Sequence, residues 1–184
     1  MPREHPDSTP VTYGRTAKTM HWVVAALVAC QFVISYLMPN VGGKTMPGTL
    51  LNLHFSFGVV ILVAMAIRLA QRLLHPVPLD MPNSPGWERR AAHATHLIIY
   101  AILLAGPILG WASASAHKLP VSIFGIVALP DIAEPKARWA LVAGDIHTYL
   151  MWTLLALVIL HALAALYHHY VKRDGVLRRM LPAP

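Results

Sequence analysis

Charge is scarce in this chain of 184 residues: Asp, Glu, Lys and Arg make up 12% of it, against about 25% in an ordinary soluble domain. With 56% hydrophobic residues, the chain reads as an integral membrane protein. Among its charges the acidic ones are the rarer kind. Glu4, Asp7, Asp80, Glu88, Asp131, Glu134, Asp145 and Asp174 are all expected in loops or at helix ends. A proton or cation path through a membrane normally uses an acidic group at depth, so this distribution argues against a pump or a cation transporter. Cysteine is nearly absent. Cys30 stands alone inside an apolar run, which excludes an internal disulfide and any C-x-x-C-H attachment motif; it is expected to be a small buried hydrophobe. Glycine-rich nucleotide loops, a nucleophile elbow and zinc-finger spacing are also missing, so soluble-enzyme chemistry finds no support.

What the chain has instead is four long apolar runs, at about residues 20–38, 51–71, 91–114 and 146–170. Each is long enough to cross about 30 Å of hydrocarbon as a helix. The first run has no small-residue cleavage site and begins with a histidine, so it is expected to stay as the first helix and not to be removed as a signal peptide. The expected fold is all-α: an integral membrane four-helix bundle, one domain over residues 1–184.

Lys and Arg accumulate on the cytoplasmic side of membrane proteins. One side of the bundle carries Arg3, Arg15, Lys18, Arg68, Arg72, Arg89, Arg90, Lys172, Arg173, Arg178 and Arg179, the other only Lys44, Lys118, Lys136 and Arg138. Both termini are therefore expected in the cytoplasm. The net charge of +7 reads as topology and contact with anionic lipid headgroups, not as a nucleic-acid surface. Met1 to Thr19 is expected to be a lead-in that becomes ordered near the membrane, and the proline-rich stretch from His75 to Pro85 an extended inner connection. In the longest loop, Ser115 to Asp145, the semi-apolar stretch Val121 to Leu129 is too short to span and is expected to lie at the interface or cap the bundle.

Four histidines carry the chemistry: His21, His54, His147 and His161, at the ends of the apolar runs. His147 and His161 are 14 residues apart, which places them on nearly one helix face, about 21 Å apart along the axis. His21 and His54 open antiparallel neighbours and so lie on opposite sides of the membrane, where each can partner one histidine of the last helix. Ala25, Gly58 and Ala165 follow three of them at four positions, with Met151 as the exception. Small groups there leave room for a flat macrocycle. Imidazoles on both axial faces of a haem iron close its coordination and favour electron transfer over substrate binding.

The remaining polar residues take supporting places. Arg15 and Lys18 precede His21, where the propionates of an inner haem are expected, and Lys136 and Arg138 stand at the outer side. His168 and His169 read as interfacial or propionate contacts, and His93 and His96 as interfacial residues or contacts to a propionate or a quinone. His5, His75 and His117 receive no role. Gly106 and Gly110, with Pro107 between them, permit close helix contact or serve haem packing within the monomer, and imply no dimer.

The motifs His21-Trp22, Leu53-His54-Phe55-Ser56-Phe57-Gly58, Ala92-His93-Ala94-Thr95-His96-Leu97, Asp145-Ile146-His147, and Leu160-His161 through His169 occur together in this chain. With the closing Leu177-Arg178-Arg179-Met180-Leu181-Pro182, the combination resembles the bacterial cytochrome b561 family. The resemblance runs from about Tyr13 to Pro182. It implies two haem b groups, His54 with His147 outside and His21 with His161 inside, in a multi-pass protein of the bacterial inner membrane. One branch, superoxide oxidase, takes electrons from superoxide at the periplasmic face and gives them to ubiquinone, and this chain is similar to it in length. On that reading Lys118, Lys136 and Arg138 steer superoxide, and the Val121 to Leu129 stretch covers the outer haem. The rival within the family is a quinol-oxidising cytochrome b that feeds a periplasmic redox partner. A reading from another class is a non-enzymatic metal-binding membrane bundle.

Overall fold

The computed structural model describes residues 12–39, 41–42, 45–75 and 85–181. Four long helices follow in order, α1 (Arg15–Leu37), α2 (Thr49–Leu74), α3 (Gly86–Ala116) and α4 (Arg138–Tyr167), and α4 continues into a π-helical turn at His168–Lys172. Each is long and apolar enough to cross a membrane. The only strands among the described residues are β1 (Ser122–Ile123) and β2 (Val127–Ala128), an antiparallel hairpin with Ser122 opposite Ala128. The proline-rich connection lies mostly outside the described residues.

The helices outrun their apolar stretches. α1 starts at Arg15 and α4 at Arg138, five and eight residues before the hydropathy predicts. Hydropathy marks only the part in hydrocarbon. Arg, Lys, Ala and Gln are good helix formers, and long cationic side chains reach the interface from within a helix. Asp145 consequently stands in the second turn of α4 and not at a helix end. Stops are local: Met38, just before Pro39, and His75, just before Pro76, both leave the helical region with ψ near 150°, as the residue before a proline must.

α1 packs on α2, α2 on α3 and α3 on α4, whereas among the described residues no α-carbon of α4 comes within 8 Å of α1 or α2. In lipid, where apolar surface gains little from leaving solvent, helices associate by close packing of small groups. The α3–α4 seam follows that rule with Ala112, Ala116, Ala140 and Ala143, all buried. A larger cluster of Val24, Val28, Ile61, Met65, Leu103 and Leu154 joins all four helices at mid-depth. Outward faces are apolar, with Val33, Val63, Leu97 and Leu163 more than half exposed, as lipid contact requires. Cys30 also faces outward, so it is not the buried residue expected.

The hairpin is fastened to α2. Ser56 Oγ accepts from the Phe124 N–H at 2.8 Å, and Ser122 Oγ donates to Asn52 Oδ1 at 2.8 Å. Phe124 and Gly125 both have positive φ, 50° and 72°, and with Ile126, whose N–H donates to the Ile123 carbonyl at 2.9 Å, they form the three-residue loop between the paired Ile123 and Val127. Asn52 and Ser56 each lie two residues from His54, about 160° around the helix from it. The hairpin therefore holds α2 from behind, which corrects the expectation that this stretch covers the outer histidine. Its strand groups need polar partners in a low-dielectric setting, and α2 offers them only on the Asn52–Ser56 face.

At the other end Trp22 Nε1 donates to the Met180 carbonyl at 2.9 Å, so the start of α1 and the end of the described chain meet on one side of the bundle. Lys172 pairs with Glu88 at 2.5 Å, and His168 Nδ1 with Asp174. Burial works to raise the Asp174 carboxyl, but the hydrogen bonds from His168 and the Val176 N–H and the charges of His168 and Lys172 outweigh it and hold it below its usual value. His168 is thus engaged by its own chain terminus.

Gly144 marks the closest approach of α4 to α3: a Cβ there would overlap Ser113 Oγ and lie 3.1 Å from Ser113 Cβ. Gly144→Leu is expected to destabilise the bundle by about 1–3 kcal/mol through overpacking, read as a lower melting temperature in detergent. Adding Ser113→Gly should recover most of the loss. An unchanged melting temperature for Gly144→Leu alone would refute the close seam.

Candidate functional site

Four of the helix-borne histidines form two facing pairs. His54, in the second turn of α2, faces His147 of α4 with ring centroids 6.2 Å apart and planes at 87°. His21, in the second turn of α1, faces His161 of α4 at 6.3 Å and 68°. Each pair bridges helices whose backbones stay more than 8 Å apart. The two pairs are separated along α4 by the about 21 Å that 14 residues span.

These separations can be tested against a metal. An imidazole nitrogen binds a transition metal at about 2.0–2.1 Å, and the ring centre lies about 1.1 Å behind it, so two axial imidazoles on one ion have centroids about 6.2–6.4 Å apart. Both pairs meet that condition. Among the described residues no group of three or more His, Cys, Asp and Glu converges as a metal cage. Two opposed nitrogens per site suit an ion whose other positions are filled by a macrocycle.

What each ring's other nitrogen touches differs from site to site. His147 Nδ1 donates to the Gly106 carbonyl at 2.8 Å; a carbonyl only accepts, so Nδ1 carries the proton and Nε2 of the neutral ring keeps its lone pair. Glycine makes this contact possible, since a Cβ on Gly110 would come within 3.2 Å of the His147 ring. Gly106 and Gly110 thus serve the α3–α4 contact. Met151, the large residue four positions after His147, sends its Cε against Gly106 and so packs on α3.

His54 Nδ1 lies 3.0 Å from Gln31 Nε2, which also donates to the His54 carbonyl at 2.9 Å. Gly58, expected to leave room beside His54, turns its open side toward this amide: a Cβ would lie 3.8 Å from Gln31 Nε2. At the inner pair, Arg68 Nη2 lies 3.2 Å from His21 Nδ1, and Nη1 donates to the Ala17 carbonyl at 3.0 Å. Arg15 and Lys18 sit on the opening turns of α1, Arg15 exposed and Lys18 half-buried, so the guanidinium beside the ring is Arg68's. Arg68 follows His54 by 14 residues, the interval that separates His147 from His161. That spacing is the signal the sequence carries for Arg68, masked by its place among the inner-side charges.

His96, expected as an interfacial residue or as a contact to a propionate or a quinone, lies against the inner pair, its ring 5.4 Å from His161. Nearby, Arg68 and Arg72 stand over the Tyr100 ring at 6.0 and 5.9 Å. A cavity of about 150 Å³ opens there between Tyr13, Arg68, Gln71, Arg72 and Tyr100, and Gln71 Oε1 is buried without a partner. On the outer side Lys118, Lys136 and Arg138 are exposed, with Asp131 and Glu134 in the same loop. Ala25 is exposed and Ala165 half-buried.

Comparison with known proteins agrees with this arrangement. The family model described as prokaryotic cytochrome b561 matches residues 12–183. The chain is 31% identical over 177 residues to cytochrome b561 homolog 2 of Escherichia coli (strain K12), covering 95% of this chain and 93% of that protein. It is 29% identical to cytochrome b561 homolog 1 of the same organism, over 92% of this chain and 97% of the relative. A probable superoxide oxidase CybB of Yersinia pestis is 31% identical over 163 residues, 89% of this chain and 92% of its own length. With a family match over nearly its whole length and four membrane-long helices, the chain belongs to the prokaryotic cytochrome b561 family of b-type haem, electron-transferring membrane bundles.

Proposed function

We propose that His54 with His147, and His21 with His161, each hold one haem b, and that the chain works as one domain in the bacterial inner membrane, termini cytoplasmic, oxidising superoxide at the periplasmic face and reducing ubiquinone. The overall reaction takes two superoxide anions, one quinone and two protons to two dioxygen molecules and one quinol. The single observation that carries the haem assignment is the pair of ring separations, 6.2 and 6.3 Å, each matching two axial imidazoles on one ion. The superoxide assignment draws support from the relative named as a probable superoxide oxidase.

A haem held by each histidine pair would supply reversible one-electron chemistry. The chain's own residues set the conditions. Gly106 fixes the His147 tautomer, leaving Nε2 free to ligate. Arg68 stands beside the inner pair, suited to a carboxylate of an inner haem, and Arg15 and Lys18 lie on the opening turns of the same helix as His21. Arg72 and Tyr100 offer donors to the carbonyl oxygens of a quinone headgroup in the adjoining cavity, and Gln71 Oε1 an acceptor to a hydroxyl of the quinol. Lys118, Lys136 and Arg138 supply positive charge at the outer mouth, offset in part by Asp131 and Glu134.

Three measurements bear on this reading. His147→Ala should remove about half of the b-type absorbance and leave the inner centre intact; full retention of both centres would break the pairing. Purified, oxidised protein mixed with superoxide should show a reduced b-type band within the mixing time, discharged when excess ubiquinone is present. A band that appears only with quinol moves the function to the quinol-oxidising alternative. Raising ionic strength shortens the Debye length from about 10 Å at 0.1 M to about 3 Å at 1 M, so the rate with superoxide should fall with salt. A salt-independent rate removes the steering role of the three cations.

A further inference from the structure

We infer that Gln31 is a positioning residue for the outer centre, the hydrogen-bond acceptor that sets how strongly His54 donates to its metal. This rests on the reading that His54 and His147 hold a haem. Gln31 belongs to α1, whose own histidine serves the inner pair, yet its amide crosses to α2 and touches His54 twice, at the ring Nδ1 and at the carbonyl. The Gln31 oxygen Oε1 is buried and has no hydrogen-bond partner, although leaving a buried amide oxygen unpaired typically costs about 1–3 kcal/mol. A glutamine held in apolar surroundings with its oxygen idle and its nitrogen against a ring nitrogen is poised for the opposite arrangement.

Metal binding supplies the reason for that arrangement. A neutral histidine that ligates through Nε2 carries its proton on Nδ1 and must donate it. Nδ1–H cannot donate to an NH2 group. A half-turn of the Gln31 amide brings Oε1 to Nδ1–H as the acceptor it needs; the bond to the His54 carbonyl is given up, and a small shift of the amide takes Oε1 away from that carbonyl oxygen, which lies 2.9 Å from the present Nε2 position. His147 meets the same need with the backbone carbonyl of Gly106. Gly58 keeps the space for the turn, because its open side faces the amide at 3.8 Å.

An acceptor on Nδ1–H makes the imidazole more basic, which favours the oxidised iron and lowers the potential. The outer centre therefore has one axial ligand set by backbone and one set by a replaceable side chain. Gln31→Met keeps the length and removes the acceptor; Gln31→Glu keeps the length and strengthens it. Full-length protein in detergent is titrated spectroelectrochemically, with the low-spin electron paramagnetic resonance signals recorded in parallel. The inference expects the outer midpoint potential to rise in Gln31→Met and fall in Gln31→Glu, with a shifted outer signal and an unmoved inner centre. Unchanged outer potentials in both variants, or shifts of the same sign, overturn it. If Gln31→Met fails to assemble, a Gln31→Glu potential equal to or above that of the unsubstituted protein overturns it instead. Failure of the underlying pairing looks different: both centres then survive His147→Ala.

Discussion

The contact of α4 with α3 alone is the constraint on which the rest of the molecule depends. Alanines and Gly144 draw the two helices together, whereas α4 meets α1 and α2 through longer side chains such as Leu154 at mid-depth, with no α-carbon within 8 Å among the described residues. In lipid this difference is decisive, because without small-group packing there is little to close two apolar helices on each other. α4 is consequently held firmly on one flank. On the other it presents two histidines to partners on two different helices, at separations that suit a ligand-bridged contact and not direct packing.

The same seam orders the chemistry of the rings. Where α3 runs closest, the absence of side chains at Gly106 and Gly110 lets the His147 ring reach a main-chain carbonyl, so its orientation is written into the backbone. His54 and His21 have no such carbonyl recorded at Nδ1 and meet side chains instead, Gln31 and Arg68. The outer site is thus neutral in its hydrogen bonding, and the inner site carries a guanidinium with a second arginine and a tyrosine close by. That asymmetry gives the two ends of one bundle different electrostatic character without any acidic group at depth.

Two peripheral devices hold the frame. The hairpin grips α2 on the face away from His54 through Asn52, Ser56 and Ser122, which braces the helix without obstructing its histidine. The π-helical turn after α4 is pinned by Lys172 to Glu88 and by His168 to Asp174, while Met180 receives Trp22. The last helix is therefore tied to α3 at its end as well as along its length, and the chain closes over the inner pair.

The sequence by itself determined the membrane class, the four spans and the four histidines that face one another, because hydropathy and a 14-residue interval on a helix are local properties with fixed geometric consequences. It also carried the family. Which groups stand behind the rings was decided only by the tertiary structure. Gln31 looks like an ordinary polar residue in an apolar run, Arg68 like an inner-side charge, and His96 like an interfacial residue, until the helices are placed and each is found against a histidine of another helix. The hairpin escaped for the same reason: its position depends on hydrogen bonds to a polar stripe some seventy residues earlier, and no local pattern in either segment records that match.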